Sequence, residues 1–418
     1  MNKSYELTHG QILMVAGRTE VTVVTGGARI VGASYGPGYS FIIPTGKRIP
    51  VEVEGTCTLQ VSPGGKETGP VPSTIPADWE NLVEAIATKG TGVIMLYGMM
   101  DTGKSFLATY LANRLQQQGV KTAVVDCDLG QSDIGPPGAM GMTVIERPVI
   151  FLSQAKPTAM YFVGAHSPGL HFIEFLNGVY AMVRQARRQA DVVIVNTTGW
   201  IQGDGGRMLK TTKLRLLDPA MVVLLQRRDE LEYLVPDLQP DKTYRLRVSH
   251  EASETSQFKR KNLREGAAVT YFKDARMMEI PFSSFSVEGA YFKTGEMLPP
   301  AGDLGLLWVE RMYDINSLLV VCEGAPDDLD LTAIAKRYGR PVTRIIRRGS
   351  ERGLLVGLLD AKRCCLALGI VDAFCYQTAT VRLVTPLSSL DNLKDIQFGS
   401  LRMKPNGREA GYVAPGTF

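Results

Sequence analysis

The sequence predicts an α/β protein: a central P-loop doubly wound parallel sheet, flanked by an N-terminal β-rich, sandwich-like domain and a C-terminal, mostly β domain. Three observations carry this. Short Val-, Ile- and Thr-rich runs separated by glycine turns fill the first 61 residues, strands alternate with helices from Asp78 to Gln226, and short apolar runs return after about Phe285. A chain of 418 residues exceeds the ~250–300 at which single cores stop growing. Several domains are therefore expected, with boundaries at 1–75, 76–285 and 286–418.

The elements follow in order. Ile12–Ala16, Glu20–Thr25, Ala28–Gly32, Ser40–Ile43, Arg48–Val53 and Thr56–Val61 read as antiparallel strands, because turn signals such as Gly26–Gly27, Gly36-Pro37-Gly38 and Thr45–Gly46 separate them. Ser62–Pro76 is rich in proline and glycine. Such a stretch is expected neither to continue a helix nor to pair well in a sheet, which makes it the first boundary. Asp78 is placed to cap a helix whose Trp79, Leu82, Val83 and Ile86 share one face. Val93–Tyr97, Thr122–Asp126, Val192–Val195 and Met221–Gln226 are apolar runs suited to buried parallel strands. Helical patterns at Lys104 to about Gln118, Phe172–Arg188 and Gly206–Leu217 alternate with them, the signature of a doubly wound sheet. The C-terminal runs, such as Leu354–Leu359 and Leu366–Ile370, show no catalytic constellation.

Composition narrows the class. With 44% hydrophobic and 21% charged residues the chain is ordinary globular material, not disordered and not coiled coil. No apolar run approaches the ~18 residues of a membrane span, and the N-terminus lacks the apolar core of a signal peptide. Six cysteines, two of them adjacent at Cys364 and Cys365, do not form a disulfide framework, so a reducing, cytoplasmic location is expected. Basic and acidic residues nearly balance, 46 against 42. Any nucleic-acid surface must then be a local patch. The four histidines and the cysteines lack metal-ligand spacing, which argues against zinc.

The chemistry-bearing segments lie at strand ends. Gly98-Met99-Met100-Asp101-Thr102-Gly103-Lys104-Ser105, followed by Phe106, matches G-x-x-x-x-G-K-S between a buried strand and a helix. Its backbone N–H groups and the helix N-terminus would cradle phosphates. Lys104 would reach the β- and γ-phosphates, and Ser105 would ligate Mg²⁺. A nucleoside triphosphate, ATP or GTP, is the expected cofactor. The strand Thr122–Asp126 runs into Asp126-Cys127-Asp128-Leu129-Gly130-Gln131. One of Asp126 and Asp128 could hold the metal while the other accepts a proton from an attacking hydroxyl, and spacing leaves the assignment open. The next strand ends in the uncharged Asn196, which shifts the carboxylate chemistry to that pair. Thr197 can approach the γ-phosphate as a neutral donor, and Trp200 can stack on a base or serve as a core or interface tryptophan. Ser256–Arg264 would present Arg260 and Arg264 on one helical face as arginine fingers, or as a solvated surface. Arg207, Lys210, Lys213 and Arg215 form a second basic stretch, a phosphate track or plain surface.

Together these segments resemble the polynucleotide 5′-hydroxyl kinase family, which includes the RNA kinase of the mRNA cleavage factor and the kinase of ribosomal RNA processing. The P-loop, Asp126-Cys127-Asp128-Leu129-Gly130-Gln131 with Pro136-Pro137-Gly138, Thr197-Thr198-Gly199-Trp200 and Ser256–Arg264 with Tyr271-Phe272 are similar to that family's motifs. The family's lid carries more arginines, and Ala267 stands where another is expected. The resemblance implies that Asp128 activates the incoming hydroxyl and Asp126, with Ser105, serves the metal. It implies that Thr197 and its clasp hold Lys104, that Gln131 and Trp200 engage the acceptor, and that Arg260 and Arg264 stabilise the transition state. The implied reaction is Mg²⁺-dependent transfer of the γ-phosphate of ATP or GTP to the 5′-hydroxyl end of RNA, with DNA as a second acceptor. Two alternatives stay open: a nucleotide-dependent switch or scaffold of an RNA-processing assembly, and a GTPase using water.

Overall fold

A computed structural model describes residues 2–71, 75–252, 254–313 and 315–418. The chain forms two compact units. One holds the residues up to Gly135 with Met140–Ala159 and Leu176–Leu263; the other holds Pro136–Ala139, Met160–Phe175 and Arg264–Phe418.

In the first unit, seven N-terminal strands make one antiparallel sheet around the long pair Thr19–Ile30 and Arg48–Val61. The sequence reading breaks the first of these strands at Gly26–Gly27 and the second between Val53 and Thr56. The structure runs through both breaks and shifts register between Val23 and Gly27, so the glycines there mark bulges rather than strand ends. A second correction falls in the stretch expected to stay unpaired: Lys66–Val71 forms an edge strand on Ile12–Ala16. An edge is where a strand containing proline can sit, because one side needs no ladder bonds. Positions 72–74 of that stretch lie outside the described residues.

The helix Asp78–Lys89 buries Trp79, Leu82, Val83 and Ile86, as its periodicity predicts, but Ala77 occupies the N-cap and Asp78 is already helical. The N-terminal sheet and the P-loop helix Lys104–Gln117 share one hydrophobic core. Asn113, fully buried, sits within it. Its amide donates to the carbonyls of Val31 and Val149 and accepts from the Val149 N–H. Every polar atom of that side chain is satisfied, which lets a polar residue tie two layers together.

Five parallel strands build the central sheet: Gly92–Tyr97, Thr122–Asp126, Val192–Asn196, Met221–Gln226 and Thr243–Arg247. Side by side they lie in the order second, third, first, fourth, fifth. Ala139–Val144 runs antiparallel beside Thr122–Asp126. Chain order reverses at Gly92–Tyr97, and a doubly wound sheet opens its ligand crevice at the carboxyl end of such a strand. The P-loop starts there.

The second unit contains a seven-stranded sheet whose first strand is Arg276–Pro281, and a four-stranded sheet with the short helix Leu331–Tyr338. Its core is aromatic, with Phe282, Trp308, Phe292, Phe374 and Phe418 joined in that order by ring contacts. Among the described residues no helix is long and apolar enough to cross a membrane.

Candidate active site

The crevice is lined from the strand ends. A Cβ on Gly98 would lie 2.5 Å from Thr102 Oγ1 and 2.8 Å from the Leu225 carbonyl, so only glycine lets the chain leave the strand this tightly. Thr102 Oγ1 donates to the Met99 carbonyl and braces the loop. The helix that begins at Lys104 leaves the N–H groups of its first turn free for phosphate oxygens. Phe106 turns its ring onto Trp79, 6.0 Å between centroids, so only its backbone can serve the loop. Lys104 is buried, and its Nζ donates to the Met99 carbonyl at 2.6 Å. Burial lowers its pKa to about 8, against the opposing pull of the Asp128, Asp101 and Asp126 carboxylates.

The two motif carboxylates occupy different environments. Asp126 is fully buried at the strand end. It accepts from the backbone N–H groups of Asp128, Asp133 and Ile134 and from Asn196 Nδ2. Burial, with Asp133 and Asp128 adding negative charge, still pushes its carboxyl up to about 7. Asp128 is only half-buried. Its Oδ1 accepts from the N–H groups of Gly130 and Gln131. Among the described residues, no hydrogen bond reaches its Oδ2. Asn196 Nδ2 joins Ser105 Oγ, at 3.1 Å, to Asp126 Oδ1, also at 3.1 Å, so the P-loop serine, the asparagine and the buried aspartate form one chain. Asn196 Oδ1 is buried there without a hydrogen-bond partner among the described residues, and so is Gln131 Nε2.

The segment after the third strand packs against the P-loop. A Cβ on Gly199 would come within 2.5 Å of the Met100 backbone nitrogen, so glycine lets the two chains touch. Thr197 is fully buried and its Oγ1 donates to the Leu96 carbonyl at the end of the P-loop strand. It is therefore tied to the strand rather than open to the crevice. The Trp200 ring lies over the backbone of Gly205. In the basic stretch beyond it Arg207 and Arg215 are exposed, but the two lysines depart from both readings offered for them. Lys210 and Lys213 are fully buried in the helix Gly203–Leu217, and their ammonium groups lie 5.0 and 5.7 Å from the centre of the Tyr97 ring.

The two lid arginines are separated. Arg260 Nη1 pairs with Asp101 Oδ2 of the P-loop at 3.1 Å. The same carboxylate oxygen accepts the Thr255 N–H, and Arg227 donates to the Asp101 carbonyl. Asp101, held at a φ of 59°, is thus the point where the segment from Thr255 to Arg260 fastens to the P-loop. Arg264 belongs to the second unit and pairs there with Glu409 at 2.8 Å. One further cation enters from the N-terminal sheet: Lys47 Nζ binds Asp133 Oδ1 at 2.8 Å, and that carboxylate raises the lysine's pKa. Nothing in the local pattern around Lys47 signals this long-range contact. For Lys210 a signal exists, because it shares a helical face with Gly206, Leu209, Lys213, Leu214 and Leu217.

The family model described as mRNA cleavage and polyadenylation factor CLP1 P-loop matches residues 98–274. A polyribonucleotide 5′-hydroxyl-kinase of Pyrococcus furiosus is 31% identical over 81% of this chain and 96% of its own. One of Methanocaldococcus jannaschii is 31% identical over 77% of this chain and 89% of its own. The solved structure titled wild-type Clp1p–Pcf11p (454–563) complex shares the fold, with a TM-score of 0.67 over 96% of this chain and 98% of that one at 12% identity.

Proposed function

Because the chain belongs to the polyribonucleotide 5′-hydroxyl-kinase family, we propose that it transfers the γ-phosphate of ATP to the 5′-hydroxyl end of a polynucleotide, RNA first and DNA second. The observation that carries this reading is the placing of Asp128 beside the P-loop strand end, half-buried, with both backbone bonds on Oδ1 and none on Oδ2 among the described residues. Its charge, with those of Asp101 and Asp126, draws the Lys104 pKa back up against the burial that lowers it. In the step proposed, the acceptor oxygen bonds to the γ-phosphorus while the bond to the β–γ bridging oxygen breaks. The hydroxyl proton passes to Asp128 Oδ2, and the nucleoside diphosphate leaves. Lys104 and Arg260 neutralise charge on the phosphoryl oxygens, Arg260 by moving from Asp101 to phosphate. Trp200 and Gln131 are assigned to the acceptor. A stacked, phosphate-held strand end gives little sequence preference. Arg264, paired with Glu409, is not assigned to the transition state. Six free cysteines support a reducing, cytoplasmic location.

The donor set fits Mg²⁺. Ser105 Oγ, the unpartnered Asn196 Oδ1 and the buried Asp126 lie in one connected group, and a cation there would offset the crowding of Asp126 by Asp133 and Asp128. When bound, Mg²⁺ would screen the β- and γ-phosphates. The proposed donor is ATP or GTP. The carboxyl of Asp126, raised from 3.8 to about 7, keeps a proton that contributes stability below pH 4 and loses that contribution as pH rises through 7. A cation must compete with the proton, so stabilisation by Mg²⁺ should grow from pH 6 to pH 8. Thermal melts with and without Mg²⁺ at the two pH values measure this. The shift should be larger at pH 8 and absent in Asp126→Asn; equal shifts at both would count against the assignment.

Transfer of radiolabel from γ-labelled nucleotide to an unphosphorylated oligonucleotide tests the function itself.

A further inference from the structure

A fully buried amino group has to be held by something, because taking it out of water is costly unless hydrogen bonds replace the lost hydration. That of Lys210 is 0% exposed, and what holds it is the segment at the mouth of the P-loop. Its Nζ donates to Thr197 Oγ1 at 3.0 Å and to the Thr198 carbonyl at 2.5 Å. Thr197 Oγ1 in turn donates to the Leu96 carbonyl at 2.8 Å, and Tyr97 Oη donates to the Lys210 carbonyl at 3.0 Å. The Tyr97 ring takes the ammonium 5.0 Å from its centre. These bonds close a ring between the last two residues of the P-loop strand, the two threonines and the helix Gly203–Leu217.

We propose that Lys210 is a positioning residue for phosphoryl transfer: it fixes Thr197–Thr198, and through Gly199 against Met100 the P-loop itself, in the geometry the reaction needs. The role rests on the kinase reading above. If the position served packing alone, an apolar side chain of the same length would fill it without the desolvation cost. The groups facing the ammonium do not form a salt bridge with it. Burial lowers its pKa, Lys213 and Lys104 repel its charged form, and Asp128 pulls the other way. The two hydrogen bonds to the threonines are the interactions that an apolar side chain cannot make, and both end on residues that shape the crevice.

Lys210→Met keeps the unbranched chain as far as the ε position and removes the donor; Thr197→Val keeps the shape and removes the shared hydroxyl. With a saturating 5′-hydroxyl oligonucleotide, each is expected to lower kcat by about 100-fold while the KM for nucleotide changes by less than about threefold. The melting temperature of Lys210→Met should stay at or above that of the parent. The double variant should be no worse than the poorer single by more than about threefold, as residues acting through one bond are non-additive. Full kcat in a folded Lys210→Met overturns the proposal, and so do losses that multiply in the double variant. A Lys210→Met that does not fold, beside a Thr197→Val of full kcat, assigns the lysine to stability alone and also overturns it. Unimpaired variants of an active parent sink only this inference; a parent without transfer sinks the kinase reading with it.

Discussion

Asp128→Asn is expected to lower kcat for transfer to a 5′-hydroxyl end by about 10²–10⁴-fold, the range associated with a positioned general base. The substitution is conservative for the loop, since the asparagine oxygen can still accept the Gly130 and Gln131 N–H groups. What it removes is the free carboxylate oxygen that would take the proton. Nucleotide affinity should therefore change by less than about threefold, which separates a lost base from a disturbed site. Rapid-quench measurement of a single turnover, with nucleotide affinity determined separately, checks both halves. A variant that transfers at the parent rate removes Asp128 from the chemistry, and one that loses nucleotide affinity in proportion makes it a loop brace.

Lys104→Met should cost about 10²–10³-fold or more in kcat, as expected when a donor aimed at developing phosphoryl charge is lost. Its pH behaviour adds a second readout. Burial lowers the pKa of Lys104 to about 8 in the nucleotide-free protein, and a triphosphate favours the protonated form. Binding then takes up a proton above pH 8, so nucleotide affinity in the parent should fall by up to about tenfold per pH unit beyond that point. The methionine variant should bind weakly with no such dependence. Titration calorimetry at pH 7 and pH 9 reads the difference. A parent whose affinity is the same at both would mean that the lysine does not meet the phosphates.

How much of this was legible before the structure depends on how local the determinants are. The strands at Gly92–Tyr97, Thr122–Asp126, Val192–Asn196 and Met221–Gln226 are buried but for Gly92 and apolar but for their end residues, so composition alone finds them. Thr243–Arg247 escaped because it alternates charged and apolar residues at the sheet edge, where one side needs no apolar cover. The P-loop and the Asp126–Gln131 loop were readable because their chemistry needs fixed residue types at fixed spacing. Lys210 and Lys213 were misread because charge was given more weight than position: the helical period already placed them with Leu209, Leu214 and Leu217. No local pattern could have separated Arg260 from Arg264. Four residues apart on one helix, one meets Asp101 and the other Glu409, and those partners are set by tertiary contacts. The same holds for Lys47 and Asp133, which lie 86 positions apart.

The most direct measurement supplies the parent protein and Mg²⁺ with γ-labelled ATP and one of three acceptors: an RNA with a 5′-hydroxyl, the same RNA already 5′-phosphorylated, or none. The account predicts label on the 5′ end of the first RNA alone, with nucleotide turnover that depends on it. Turnover at the same rate in all three mixtures would make water the acceptor, and nucleotide bound without turnover in any of them would make the protein a switch or scaffold. Either result would contradict the account.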